Sequence, residues 1–142
     1  MTPQLIQEFL RSEDLPATYG EDVLTWFLPA AQDLLLRLTS NQNKPLFIGI
    51  NGAQGTGKST LAKLFELCCT EAGLKVAVLS IDDFYLSKAA RTQLAVTVHP
   101  LLATRGVPGT HDVEQLKSCL NQLLDSQSGT VKIPRFDKAA DN

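Results

Sequence analysis

This 142-residue chain has no excess of basic residues: 13 Lys and Arg stand against 15 Asp and Glu, for a net charge of −2. A phosphate backbone or an anionic bilayer calls for clustered cations, so the composition argues against nucleic acid and membranes as partners. No apolar run approaches the ~20 residues of a membrane span. The opening MTPQLIQEFLRSEDLP carries acidic residues and neither an apolar h-region nor an Arg-rich presequence. A cytoplasmic protein is the expectation. Cysteine is scarce, with Cys68 and Cys69 adjacent and Cys119 apart; none forms a CxxC pair or neighbours a His at metal-ligand spacing. They read as reduced, buried thiols. Internal repeats and low-complexity tracts are absent, and the one linker-like stretch is the polar run from Thr39 to Pro45.

What is present is periodic. Leu5, Ile6, Phe9 and Leu10 keep helical spacing, and a second run places Val23, Leu24, Phe27, Ala31, Leu34, Leu35 and Leu38 on one face. Residues 1–45 therefore read as a helical N-terminal segment, in which Pro29 should kink the second helix or start a new one. Residues 46–142 read as an α/β core. Leu46 to Ile50 is a short apolar run bounded by Pro45 and a glycine-rich stretch, the pattern of a buried parallel strand. Thr60 to Ala72 returns to helical period with Leu61, Leu64, Phe65 and Cys68 inward, and Gly73 is placed as the residue after its C-cap. Lys75 to Ile81 is the next expected strand. Strand, glycine-rich loop, helix and strand make a βαβ unit, which implies a three-layer α/β/α fold with a parallel sheet.

Within that unit, GINGAQGTGKST carries Gly52, Ala53, Gln54, Gly55, Thr56, Gly57, Lys58, Ser59 and Thr60. Gly52-x4-Gly57-Lys58-Ser59 is P-loop spacing: glycines let successive N–H groups turn inward around a phosphate, Lys58 reaches its β/γ oxygens, and Ser59 offers a hydroxyl to Mg²⁺. The third glycine of a dinucleotide fingerprint is replaced by Thr60, so that reading falls. Next, LSIDDFY sets Asp82 and Asp83 at the C-terminal end of the second strand, where ligands bind in open α/β sheets. A carboxylate there can hold Mg²⁺ or accept the proton of an attacking hydroxyl; the plainer alternative is that it caps a helix near Ser87. A loop from His99 to Asp112 carries Arg105 and His111, with Pro108-Gly109 suited to a tight turn and Asp112 to an N-cap. Arg105 can grip a carboxylate bidentately, although plain solvated charge is equally common in loops. The following helix should bury Val113, Leu116, Cys119, Leu120, Leu123 and Leu124. Residues 88–98 remain open between helix and strand.

Taken together, LPATYGEDVLTWFLPAAQDLL, GINGAQGTGKST, LSIDDFYLS, HPLLATRGVPGTHDVEQL and VKIPRFDKAADN resemble the plant and cyanobacterial type of D-glycerate 3-kinase. That family is in turn similar to phosphoribulokinases, uridine kinases and pantothenate kinases. The P-loop alone is common to many NTPases, whereas IDDFY, RGVPGTHD and IPRFDKA in this order are far more specific. The resemblance implies transfer of the γ-phosphoryl of ATP, with Mg²⁺, to the 3-hydroxyl of D-glycerate. It further implies Asp82 as general base and Mg²⁺ ligand, Lys58 as the cation on the transferred group and Ser59 as a Mg²⁺ ligand. Asp83, Tyr85, Arg105, His111, Arg135 and Asp137 are its acceptor-side candidates, for a small hydroxy acid as partner.

By the same resemblance, the family continues past IPRFDKAADN with a further central strand, an arginine-bearing lid and most adenine contacts. The sheet is thus expected to be incomplete at the C-terminal side, with both visible strands facing a gap and the 142 residues inactive alone. Other acceptors (a nucleoside, pantothenate, a sugar phosphate) and a non-catalytic nucleotide-binding remnant are the alternatives. A GTPase switch would carry DxxG and NKxD stretches, and the sequence has neither.

Overall fold

The apolar spacing of the first forty residues is realised as a run of helices in the computed structural model, which describes residues 1–40, 45–125 and 129–141. Residues 41–44 of the expected polar connector lie outside the described residues, as does residue 142. By their internal contacts, Met1–Val78 and Leu79–Asn142 form two compact units.

In the first unit, α1 (Pro3–Ser12) begins at Thr2, whose hydroxyl accepts from the Leu5 N–H, and has Pro3 in its first turn. A short α2 (Tyr19–Asp22) runs into a π-helical turn, Val23–Phe27, and then α3 (Leu28–Ser40). The π turn is the structural answer to Pro29. A proline ring collides with the carbonyl four residues back and offers no N–H, and widening the preceding turn, with Leu28 N–H donating to the Val23 carbonyl, accommodates it without breaking the helix. The expected inward face is largely kept, with Val23 and Ala31 buried. Leu24 is a correction: it is 57% exposed, because the widened turn keeps Val23, Phe27 and Ala31 in register and turns the next position outward.

The core of this unit is Ile6, Phe9, Val23 and Leu64, flanked by Leu10, Leu15, Tyr19, Phe27 and Leu67. Leu64 belongs to α4 (Lys58–Glu71), so the N-terminal helices and the helix behind the glycine-rich loop share one apolar centre. The end of α4 is a Schellman closure. Gly73 adopts φ +78° and donates to the Thr70 carbonyl at 2.9 Å while Leu74 donates to Cys69 at 3.0 Å, a conformation that costs a side-chain-bearing residue about 1–2 kcal/mol.

The parallel sheet does not form among the described residues. Residues 46–50 and 75–80 carry no ladder, and Leu46, Phe47, Ile48 and Val76 stay substantially exposed. Apolar, β-branched composition favours an extended chain, but a strand exists only when a neighbour about 4.8 Å away takes its N–H and C=O groups. Composition cannot supply that neighbour. Residues 81–84, expected as a strand end and its loop, instead form a 3₁₀ turn.

In the second unit, α5 (Lys88–Thr97) settles the open stretch as helix; its N-cap is the Ser87 hydroxyl, accepting from the Ala90 N–H, and neither Asp82 nor Asp83 caps it. Asp112 caps α6 (Val113–Leu124) by accepting from the Gln115 N–H at 2.8 Å. Leu116, Cys119, Leu120 and Leu123 turn inward on α6 as expected, whereas Val113 and Leu124, at its two ends, are exposed. All three cysteines are buried free thiols; burial pushes the Cys68 and Cys69 thiols above their ordinary value, so they lack the thiolate that reactivity needs. No helix among the described residues is long and apolar enough to cross a membrane.

Candidate active site

The glycine-rich loop lies in the first unit. Gly55 and Gly57 take φ values of +78° and +76°, which only glycine adopts cheaply, and these turns carry the chain from residue 51 into α4. Gly57 is the N-cap of α4 and brings no side chain to its first N–H groups. Those donors, with the helix dipole, present an anion-binding end. Lys58 folds back over the loop and donates to the carbonyls of Gly52 at 3.0 Å and Ala53 at 2.7 Å, while the Thr56 hydroxyl donates to Ala53 at 2.8 Å. A Cβ on Gly52 would lie 2.9 Å from the Thr56 Oγ1, so a larger residue there would have to displace that hydroxyl from its bond to the Ala53 carbonyl. A phosphate fits these residues. Beside the loop, Ser59 offers a hydroxyl, a hard oxygen donor of the kind Mg²⁺ takes together with water and substrate phosphates.

The second unit gathers the other sequence-expected residues. Two hydrogen bonds, Leu86 N–H to the Thr110 carbonyl at 2.9 Å and Asp112 N–H to the Phe84 carbonyl at 2.6 Å, flank an isolated antiparallel bridge between Tyr85 and His111. In such a pair the side chains stand close, and the two rings stack at 4.4 Å. The turn that delivers His111 is the expected one: Thr110 N–H donates to Val107, with Pro108 and a positive-φ Gly109 between them. Phe136 meets the Tyr85 ring edge-on at 5.2 Å, and the guanidinium groups of Arg91 and Arg105 lie 5.8 and 5.7 Å from the Phe136 centroid. His111 Nε2 is buried with no hydrogen-bond partner among the described residues.

Asp82 is at the edge of this cluster. Its Oδ1 accepts from the Tyr85 hydroxyl at 3.0 Å and its Oδ2 from Lys138 Nζ at 3.2 Å. Partial burial raises its pKa, but the hydrogen bonds from Lys138 and Tyr85 and the nearby charge outweigh that and hold it below the usual carboxylate range. Burial and the Asp82 carboxylate push the Tyr85 phenol up, so it remains a donor.

Asp83 instead accepts from Arg135 at 2.6 Å and from the Phe136 N–H at 3.3 Å, pinning the IPRFDKA segment. Arg135 is thereby engaged with Asp83, and Asp137 caps the turn that follows by accepting from the Ala139 and Ala140 N–H groups. Arg105 donates to Asp141 at 3.0 Å and to the Lys138 carbonyl at 3.2 Å.

Three residues escape the sequence reading. Arg91 is only 1% exposed and donates to the Leu86 carbonyl at 2.6 Å, with Asp141 at 2.7 Å. The signal available for it is helical: positions 91, 94 and 95 share one face of α5, so an Arg stands among inward positions. Lys138 and Asp141 carried no signal beyond lying in or beside the IPRFDKA motif.

The Asp141 carboxyl feels burial that raises its pKa, but the Arg91 and Arg105 guanidiniums dominate and lower it. A lowered folded-state pKa means the pair stabilises fully above the unfolded value of about 3.9 and is lost as pH falls through the folded value. Thermal unfolding followed from pH 7 downward should therefore show a fall in midpoint beginning near pH 4, and Asp141→Asn should flatten that limb. An unaltered limb in the variant would remove this pair from the acid sensitivity.

Comparison with known proteins places this geometry in context. Residues 17–87, half of the chain, match the family described as Methylmalonyl Co-A mutase-associated GTPase MeaB. The chain is 39% identical over 113 residues to the Uncharacterized kinase mug58 of Schizosaccharomyces pombe, covering 75% of this chain and 41% of that protein. It is 36% identical to the Probable ATP-dependent kinase TDA10 of Saccharomyces cerevisiae, over 67% of this chain and 36% of the relative. The chloroplastic D-glycerate 3-kinase of Arabidopsis thaliana is 34% identical over 68% of this chain and 22% of its own length. The solved structure of the YGR205w protein matches with a TM-score of 0.70 at 31% identity, over 82% of this chain and 43% of that one. The chain thus spans about two fifths or less of the length of these curated relatives.

Proposed function

Because this chain belongs to the P-loop NTPases and its curated relatives named above are kinases, we propose that it carries the catalytic residues of an ATP-dependent small-molecule kinase acting on D-glycerate. The observation that carries the reading is the meeting of IDDFY, RGVPGTHD and IPRFDKA residues at Tyr85, which stacks on His111, meets Phe136 edge-on and donates to Asp82, with Lys138 on the same carboxylate and Arg105 beside Phe136. A hydroxy acid needs both a proton acceptor for its hydroxyl and a cation for its carboxylate, and this cluster supplies each.

Each role is assigned residue by residue. The Gly52–Thr60 loop would hold the phosphates of ATP through its N–H groups, with Lys58 released from its carbonyl contacts onto the β/γ oxygens. Ser59 would offer its hydroxyl and Asp82 its carboxylate as Mg²⁺ ligands, and that ion, when bound, supplies charge neutralisation for the transferred group. Asp82 would orient the 3-hydroxyl and take its proton as the oxygen bonds to the γ-phosphorus and the bond to the ADP oxygen breaks. Tyr85 and His111 would line the acceptor, and Asp83, Arg135 and Asp137 would act there by holding the IPRFDKA turn in place. The proposed fold is the three-layer α/β/α P-loop arrangement, and the cytoplasm is the proposed compartment.

The match to a GTPase family spans residues 17–87 and so includes the P-loop, whereas the relative TDA10 is a probable ATP-dependent kinase. Nucleotide choice therefore enters the experiment. ADP or GDP release should be measured with and without D-glycerate: acceptor-stimulated ADP release supports the proposal, acceptor-independent release points to a plain NTPase, and binding without turnover points to a remnant.

A further inference from the structure

We propose that Arg91 and Arg105 form a receptor for the carboxylate of a small anionic ligand, and that the side chain of Asp141 fills it as an internal stand-in. This rests on the acceptor reading above and names the part of the second unit that would grip the acid.

Arg91 is the starting point. A guanidinium that is 99% out of solvent is retained only with partners for its fork, and two of them are backbone carbonyls, Leu86 at 2.6 Å and Ala103 at 3.4 Å. The third is a carboxylate, Asp141, shared with Arg105, whose side chain is 35% exposed. Two guanidiniums facing one carboxylate is the arrangement proteins use for small-acid recognition. The carboxylate in it is held by a costly backbone: Asp141 is one of two described non-glycine residues with positive φ, at +56°. Its side chain is 32% exposed, so the anion sits on the open side of the pair while Arg91 sits on the closed side.

Beside it lies a cleft of about 430 Å³ lined by Arg91, Ala103, Thr104, Arg105, Lys138 and Asp141. That volume has room for a small acid together with water. Lys138 belongs both to the cleft wall and, through its ammonium, to Asp82. A ligand whose carboxylate replaced that of Asp141 would thus share a wall with the group assigned to its hydroxyl. Arg135, the other cation expected from the sequence, is committed to Asp83 and has no place in this wall.

An internal carboxylate competes with an external one, so the apparent dissociation constant is the intrinsic one divided by the fraction of time the site is free. Removing it has two linked consequences. Asp141→Ala leaves a buried guanidinium without its anion and should lower the thermal midpoint. D-glycerate should restore that midpoint, half-saturating about 10-fold lower than its effect on the unaltered chain, while glycerol, which lacks the carboxylate, restores nothing. If Asp141→Ala does not fold, Asp141→Asn keeps the shape without the charge and serves the same titration. Equal responses of variant and unaltered chain to D-glycerate, or restoration by glycerol, would overturn the proposal. So would restoration by inorganic phosphate without restoration by D-glycerate, since the site would then prefer a tetrahedral anion. Rescue without phosphorylation of D-glycerate would retain the receptor and discard the acceptor assignment. Turnover on D-glycerate with no shift in the variant would do the reverse.

Discussion

Lys58→Ala should reduce turnover by about 10²-fold or more and weaken nucleotide binding, the largest effect expected of any single change in the first unit. The magnitude follows from removing one fixed donor to charge that develops during transfer, which costs about 10²–10³ in rate where it has been separated from binding. Here the cation also neutralises the ground-state phosphates, so affinity and rate should fall together. The fold should be indifferent to the change. Lys58 is half-buried, and among the described residues its ammonium donates to the Gly52 and Ala53 carbonyls, apart from the core of Ile6, Phe9, Val23 and Leu64. Nucleotide titration, turnover and thermal unfolding on the same preparation separate these effects. Normal affinity and normal turnover in a folded variant would end the P-loop assignment.

Asp82→Asn should lower turnover by about 10²-fold or more while leaving the nucleotide dissociation constant nearly unchanged, the range for a lost acid–base group. Its lowered pKa gives the prediction a second edge. Because Lys138 and Tyr85 hold the carboxyl ionised below the usual range, the rate should stay flat as pH falls from neutrality through pH 5, with no acid limb near the ordinary carboxylate value. A weakly basic carboxylate suffices if the transition state is loose, since little proton has left the hydroxyl when the phosphoryl departs. Asp83→Asn should act otherwise: it breaks the clamp on Arg135 and Phe136, so the loss should appear as a lower thermal midpoint and a raised KM for the acceptor. If Asp83→Asn abolished turnover and left stability intact, while Asp82→Asn was benign, the two roles would be exchanged.

The sequence by itself determined the features that depend on neighbours along the chain. The glycine-rich loop and α4, the Schellman closure at Gly73, the Pro108-Gly109 turn and the Asp112 cap all involve partners within about six residues, so spacing specifies them. The apolar period of α1 and of Val23, Phe27 and Ala31 identified the buried face for the same reason. What only the tertiary structure decided are contacts between distant segments. Asp83 with Arg135, Asp82 with Lys138 and Arg91 with Asp141 join positions some fifty residues apart, and a charge pattern along the chain does not say which opposite charge it will meet. Strand pairing belongs with them. Residues 46–50 and 75–80 have the composition of strands, yet the hydrogen bonds that make a strand belong to its neighbour, and no local preference can supply them.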